Sequence, residues 1–225
     1  MDALKKKREI PVITIKFLLV ALAFLGSVFV FAAIAHEAVM EKEAVFDQRI
    51  ADYLSAHASA NTISIMRVIT FFGSTGFLLP AYLVLVIILM ILHRRRDAIN
   101  TAIVSVTSSI LLFALKDFFK RVRPNLPLLK SLHSFSFPSG HALSSFIFCS
   151  MLGYLVWNSK LRRGLKWAII ILLVVISFLI GISRIILRMH YATDVIAGFC
   201  LGIAWVILSF WIMRKTEERK FRTRL

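Results

Sequence analysis

The sequence predicts an all-α fold: a polytopic membrane bundle of six transmembrane helices, with a short amphipathic helix lying outside it. Three observations lead there. Apolar residues make up 59% of the 225 positions and gather in long blocks, a pattern foreign to soluble domains. Six of those blocks approach the roughly 20 residues that cross a bilayer as a helix. Basic residues, in excess by a net charge of +16, cluster in short runs beside the blocks. Such runs anchor to anionic headgroups, and that pattern argues against a single basic face for nucleic acid.

The spans fall at 12–35, 69–92, 98–118, 141–157, 167–183 and 192–213, and residues 1–225 read as a single integral-membrane domain. The first span follows "KKKREI" and so imitates a signal peptide. It is longer than a signal's apolar region and is read as retained, with cleavage after "FAAIA" as the alternative. Lys16, inside it, can snorkel to the surface. Residues 46–66 place Phe46, Ile50, Tyr53 and Leu54 at helical spacing, which predicts an amphipathic surface helix; an ordinary polar loop is the competing reading. The third span is the most polar, and the hydroxyls of Ser105, Thr107, Ser108 and Ser109, with Asn100, are expected to bond across helices. Cys149 and Cys200 lie inside apolar blocks, without disulfide or metal-ligand spacing, and read as packing residues.

Orientation follows from lysine and arginine bias. With Lys5, Lys6, Lys7 and Arg8 in the cytoplasm, six crossings put "HRRR" at 93–96, "KLRRGLK" at 160–166 and the basic tail on that side. Trp157, Trp167 and Trp211 fall at the same interface. The acidic segment with Glu37, Glu41, Glu43, Asp47 and Asp52 falls outside. Two external loops break the rule: 116–140, with Lys116, Lys120, Arg121, Arg123 and Lys130, and 184–190, with Arg184 and Arg188. Cations against the bias need another use.

In the first loop Lys116 and Arg123 offer fixed positive charge, and Pro124 sets the chain direction after Arg123. "PSGH", 138–141, precedes the fourth span: Pro138 and Ser139 are helix-start residues, and the amides near Gly140 and His141 are free to meet an anion. A plain helix cap explains Ser139 but not His141 or the cations upstream. In the second loop His190 and Asp194 are four apart and are expected on one helix face, the carboxylate fixing the imidazole's tautomer. As an isolated pair they would read as a structural histidine. Beside a second histidine and several cations they read as a catalytic pair.

"K-x6-RP" (Lys116, Arg123, Pro124), "PSGH" (138–141) and "SR-x5-H-x3-D" (Ser183, Arg184, His190, Asp194) resemble the three-part signature of the type-2 phosphatidic acid phosphatase superfamily. "RVITFFGSTGF", 67–77, resembles that family's stretch entering the second span. The resemblance implies hydrolysis of a membrane lipid phosphate through a phosphohistidine. His190 would attack phosphorus with Asp194 orienting it, and His141 would protonate the leaving oxygen and then activate water. Lys116, Arg123, Ser139, Gly140 and Arg184 would hold the phosphoryl oxygens, with Pro124, Pro138 and Ser183 supporting the motifs. No metal or other cofactor, no nucleic acid and no obligate protein partner is expected; the partners are the lipid substrate and an anionic bilayer.

The implied substrate is phosphatidylglycerophosphate, giving phosphatidylglycerol, with undecaprenyl diphosphate or a broad range including phosphatidic acid as the alternative. The site is expected on the extracytoplasmic side of the cell membrane, both termini inside. A transporter would favour charged or broken helices near the midplane, and a lipid-binding scaffold would need only cations. Asp117 is expected on another helix face from Lys116. Lys120, Arg121, Lys130 and Arg188 read equally as lipid-attracting or as solvated charge, and His133 as an ordinary loop residue.

Overall fold

A computed structural model describes residues 12–40, 45–125, 127–129 and 134–222. Its α-helices are α1 (Val12–Ile34), α2 (Val45–His57), α3 (Ala60–Phe71), α4 (Thr75–Ile91), α5 (Arg95–Phe119), α6 (Gly140–Trp157), α7 (Arg163–Ile186) and α8 (Ala192–Arg222). A π-helical segment, Ala35–Met40, continues α1. Among the described residues, six segments are long and apolar enough to cross a bilayer: Phe17–Val39, Ala60–Ile91, Arg95–Phe119, Gly140–Trp157, Arg163–Ile186 and Ala192–Thr216. Each predicted span overlaps one of them. Lys5 to Arg8, Glu41, Glu43, Lys130, His133 and the extreme C-terminus lie outside the described residues, as does the side chain of Lys16.

The expected surface helix over 46–66 proves to be two pieces. α2 stops at His57, and Ser59 starts a new helix by accepting the Thr62 amide on its hydroxyl at 3.1 Å. Residues 60–66 therefore belong to the second span. Phe46 and Tyr53 are exposed on α2, while Ile50 and Leu54 are half-buried. Asp47, expected among the outer acidic charges, is instead only 2% exposed.

The second span is itself broken at Phe72–Ser74, where Ser74 caps α4 by accepting from the Phe77 amide. Gly73 sits at the break. A Cβ there would lie 2.4 Å from Ile180 Cγ2 on α7 and 3.0 Å from the His141 ring on α6. Only a bare Cα lets the break press against both helices.

α6 is the central helix and packs on α4, α5, α7 and α8. Its Leu143, Ile147 and Met151 form the main core with Val104 and Leu112 of α5 and with Leu201, Trp205, Val206 and Phe210 of α8. Gly198 brings α8 against the start of α6, since a Cβ there would meet the Ser139 carbonyl oxygen at 2.8 Å. α1 packs on α8 at the periphery and leaves much of its apolar surface, such as Phe17 and Phe29, uncovered by protein. That surface suits lipid tails.

The third-span hydroxyls do not reach across helices. Thr107 donates to the Ile103 carbonyl at 2.6 Å, Ser109 to Ser105 at 2.8 Å, and Ser108 to Ser105 at 3.0 Å, all within α5. In an apolar medium the nearest acceptor is the preceding turn, so the hydroxyl is satisfied locally. Cys149 and Cys200 are unpaired thiols, in line with their reading as packing residues.

At the end of the bundle formed by α4, α5, α6 and α7 around residues 92–96 and 157–166, Trp157 and Trp167 meet edge to face with ring centroids 5.4 Å apart. Lys166 donates to the Trp157 carbonyl at 2.7 Å. α4 closes there through His93 in the left-handed region, φ 56°, with Arg94 bonding back to Leu89 and His93 to Met90.

Candidate active site

At the other end, four helix termini converge: the last turns of α5 and α7 and the first turns of α6 and α8. Residues 120–125, 134–139 and 187–191 close over them. The turn after α7 fixes the geometry. Met189 N–H bonds the Arg184 carbonyl and Arg188 N–H the Ile185 carbonyl, each at 2.9 Å, the paired bonds of a Schellman motif. Its left-handed position, usually glycine, is Arg188 at φ 53°. Arg188, read from sequence as a lipid-attracting or solvated charge, thus also shapes the backbone.

This turn corrects one expectation. α8 begins at Ala192, so His190 and Asp194 do not share a helix face. His190 is in the loop, and the chain folds its ring back towards a carboxylate in the first turn of α8. Asp194 Oδ2 accepts the Tyr191 amide at 3.0 Å, the reach-back half of a capping box, and so holds loop and helix together. Arg184 likewise lies in α7 and not in an external loop.

His190 is almost fully buried. Its Nδ1 is 3.4 Å from Asp194 Oδ2, and its Nε2 is 3.3 Å from Arg123 Nη1. A guanidinium can only donate, so Nε2 carries the lone pair and the proton is assigned to Nδ1, facing the carboxylate. Burial pushes the His190 ring down to about 4, against the opposing pull of Asp194. At neutral pH it is an uncharged base with Nε2 free to act.

The cations gather round it. Lys116, in the last turn of α5, donates to the Phe135 carbonyl at 2.5 Å. Arg123 donates through Nε to the Ser134 carbonyl at 2.8 Å and through Nη1 to the Met189 carbonyl at 2.7 Å, tying the two loops together. Arg184 is 2% exposed; its Nη1 donates to Thr70 Oγ1 at 2.8 Å, and its Nε has no partner among the described residues. Lys116, Arg123 and Arg184 lie within electrostatic reach of one another, and all three act on His141. Three cations this close, two of them buried, repel one another, so the arrangement favours an anion between them. His141 opens α6, where helix geometry leaves the Gly140 and His141 amides without intrahelical acceptors. A Cβ on Gly140 would meet Leu112 Cδ2 at 3.1 Å and Lys116 Cε at 3.9 Å, so its bare Cα faces α5.

The other signature residues are structural in position. Ser139 is fully buried: its hydroxyl faces the Ala142 amide at 3.5 Å, and its N–H bonds the Asp194 carbonyl at 3.0 Å. The helix-cap reading therefore describes its side chain better than phosphate contact does. Pro138 is buried after a cis peptide bond, Pro124 lines a cavity of ≈ 290 Å³ beside His190, and Ser183 bonds the Ile180 carbonyl at 2.6 Å within its own helix. Asp117 is 80% exposed and pairs loosely with Lys120 at 3.8 Å, away from the cluster.

Five residues escaped the sequence reading as site residues. Ser136 donates a short hydrogen bond to Asp194 Oδ2. Thr70 holds Arg184. Arg121, read as a surface charge, bonds Asp194 Oδ1 at 2.6 Å and Asp47 Oδ2 at 2.8 Å. Asp47 in turn accepts from Thr193 N–H at 2.9 Å and from the Thr193 hydroxyl at 2.6 Å. Thr70 fell within the stretch 67–77 noted above; the other four had no motif to mark them. Among the described residues no three His, Cys, Asp or Glu side chains converge as a metal site.

Residues 97–218 match the PAP2 superfamily. Phosphatidylglycerophosphatase B of Bacillus subtilis (strain 168) is 33% identical over 161 residues, covering 71% of this chain and 77% of that protein. The crystal structure of the first transmembrane PAP2 type phosphatidylglycerolphosphate phosphatase from Bacillus subtilis superposes with a TM-score of 0.75 at 29% identity, covering 87% of this chain and 96% of that one. Aquifex aeolicus LpxE superposes with a TM-score of 0.57 at 25% identity, over 72% of this chain and 93% of that one.

Proposed function

The chain belongs to the PAP2 superfamily, and from that premise we propose that it removes the terminal phosphate of phosphatidylglycerophosphate, releasing phosphatidylglycerol. It is a multi-pass membrane lipid phosphatase. The observation that carries the mechanism is the trio of cations around an uncharged imidazole, Lys116 and Arg184 buried and Arg123 half-buried, with Arg184 Nε unpartnered among the described residues. That is a receptacle for a phosphoryl group beside a nucleophile.

His190 Nε2 attacks phosphorus, and the bond to the glycerol oxygen breaks. His141 gives that oxygen its proton. Lys116, Arg123, Arg184 and the first amides of α6 take up the charge on the phosphoryl oxygens as it redistributes. Asp194 holds Nδ1–H and balances the positive charge of the phosphohistidine. His141 then removes a proton from water as the water attacks phosphorus, and inorganic phosphate leaves with Nε2 restored. The scheme uses fixed cations where other phosphatases use a metal.

Residues 1–225 act as one domain whose site faces the extracytoplasmic side, both termini inside; the basic runs at 93–96 and 160–166 support that orientation. The test is phosphate release by purified protein from phosphatidylglycerophosphate, undecaprenyl diphosphate and phosphatidic acid. The highest kcat/KM is expected on the first; a clear preference for the diphosphate would replace this substrate with the alternative. Orientation is tested with a background lacking Cys149 and Cys200. Asn125→Cys should react in intact cells with a membrane-impermeant thiol reagent, and Lys160→Cys only after the membrane is opened.

A further inference from the structure

Asp194 is bound from two directions. Loop 187–191 reaches it through Tyr191 and His190, while Arg121 reaches its other oxygen, Oδ1. Arg121 does not end there. Its second nitrogen bonds Asp47, and its first also bonds the Thr193 hydroxyl at 2.8 Å. Its guanidinium covers the Tyr191 ring, 4.2 Å from the centroid. Asp47, on α2, closes the circuit by accepting both donors of Thr193, so a carboxylate from outside the bundle caps the first turn of α8.

This circuit is costly unless it does something. Two carboxylates and a guanidinium are buried together, and 146 residues separate Asp47 from Thr193. A helix cap alone needs no arginine, and an ion pair alone needs no second carboxylate. The three groups together fix both the position of Asp194 and the share of its charge that His190 experiences.

We infer that Arg121 and Asp47 are positioning residues for the His190–Asp194 pair, so that the external helix α2 helps aim the nucleophile. The inference rests on the phosphatase mechanism above. Arg121 claims Oδ1 and leaves Oδ2 to His190, Ser136 and the Tyr191 amide. Asp47 keeps Arg121 from swinging wholly onto Asp194, where it would neutralise the carboxylate that the phosphohistidine needs. Neither residue touches the phosphoryl group.

The experiment compares Arg121→Met, Arg121→Lys and Asp47→Asn with wild type on a lipid phosphate that wild type hydrolyses. Loss of an orienting partner of this kind is expected to lower kcat by about 10- to 100-fold. KM is expected to stay within about threefold, because no substrate contact is lost. Arg121→Lys, which keeps the charge, should recover part of the rate. Asp47→Asn retains an acceptor for the Thr193 amide, so it tests the charge without removing the cap.

A purely structural role would reduce the fraction of protein able to form phosphoenzyme while leaving the surviving molecules normal. Quench-flow counting of phosphohistidine separates the cases: the inference expects full stoichiometry formed slowly. A second readout is the His190 ring, observed by 15N NMR. The charged or titratable groups facing it are Asp194 of α8, Arg123 of the loop, Lys116 of α5 and His141 of α6, with Arg121 beyond Asp194. Removing Arg121 leaves Asp194 with more of its charge, so the His190 titration should move upward from about 4.

Unchanged kcat in Arg121→Met and Asp47→Asn would overturn the inference, as would lowered stoichiometry with normal turnover per competent molecule. Absence of phosphatase activity in wild type would instead overturn the functional reading itself.

Discussion

The two ends of the bundle use the same residue types in opposite ways. Around 92–96 and 157–166, arginine and lysine are solvent-facing, tryptophans sit edge to face, and the Arg94–Asp97 ion pair is local and partly exposed. Such charges cost little and specify little. At the converging termini, Lys116 and Arg184 are buried, Arg121 nearly so and Arg123 half-buried, and all four are bound to named partners from other elements. Lysine and arginine occur at both ends; burial and partnership are what differ. A basic run beside an apolar block is an anchor when water can reach it. It becomes a receptacle when loops fold over it.

The largest break in that contrast should come from the buried end. His190→Ala is expected to abolish turnover and phosphoenzyme together, and Asp194→Asn to lower kcat by about 10⁴-fold at most while lipid still binds. A phosphorylated intermediate on any other residue, found by mass spectrometry of acid-stable and acid-labile adducts, would sink the assignment. Next, Thr70→Val deprives Arg184 of its only resolved partner at Nη1, and KM for the lipid phosphate should rise by about tenfold, consistent with roughly 1–3 kcal/mol for a charged hydrogen bond. An unchanged KM would mean that Arg184 needs no positioning.

Two further tests sharpen the contrast. The His190 ring should remain neutral as pH falls from 7 to about 5, since burial lowers its value to about 4. An ordinary exposed histidine would be mostly charged by then, and a ring that titrates near 6.5 in a 15N NMR series would contradict the dry site. Excess chelator should leave phosphate release unchanged, because fixed cations meet the phosphoryl charge; restoration by magnesium of a chelated, inactive enzyme would refute that. The smallest effect belongs to the exposed end. His93→Gly relieves a left-handed backbone and should raise thermal stability by about 1 kcal/mol with no change in kcat.

The spans and the charged cluster were legible because each leaves a periodic or fixed-spacing trace. Blocks of apolar letters mark helices, and Lys116, Arg123, His141, Arg184, His190 and Asp194 fall at fixed spacings at or beside the ends of those blocks, where cations defy the charge bias. What stayed hidden depends on three-dimensional closure. Asp47 looked like one acidic residue among several in an outer segment, and nothing local says that it caps a helix far along the chain. Ser136 and Arg121 sit between signature positions without a motif of their own. The division of 46–66 turned on Ser59, a single cap in a stretch whose apolar pattern continues past it. His190 and Asp194 were rightly paired for the wrong geometric reason: four residues apart suggested one helix face, whereas a Schellman turn and a capping carboxylate bring them together.

The long reach of the Asp47–Thr193 contact has a consequence for biogenesis. The ribosome emits Asp47 well before Asp194, with four spans inserted between them. Until α8 arrives, Arg121 has neither Asp194 nor the Thr193 hydroxyl, and the first turn of α8 does not yet exist to receive Asp47. A chain halted after α7 would therefore carry cations at a membrane boundary with their carboxylate missing, a state that favours hydration and opening of the loops over closure. The arrival of α8 is what locks Arg121 and His190 in place, so the nucleophile is aimed only once that helix is in the membrane.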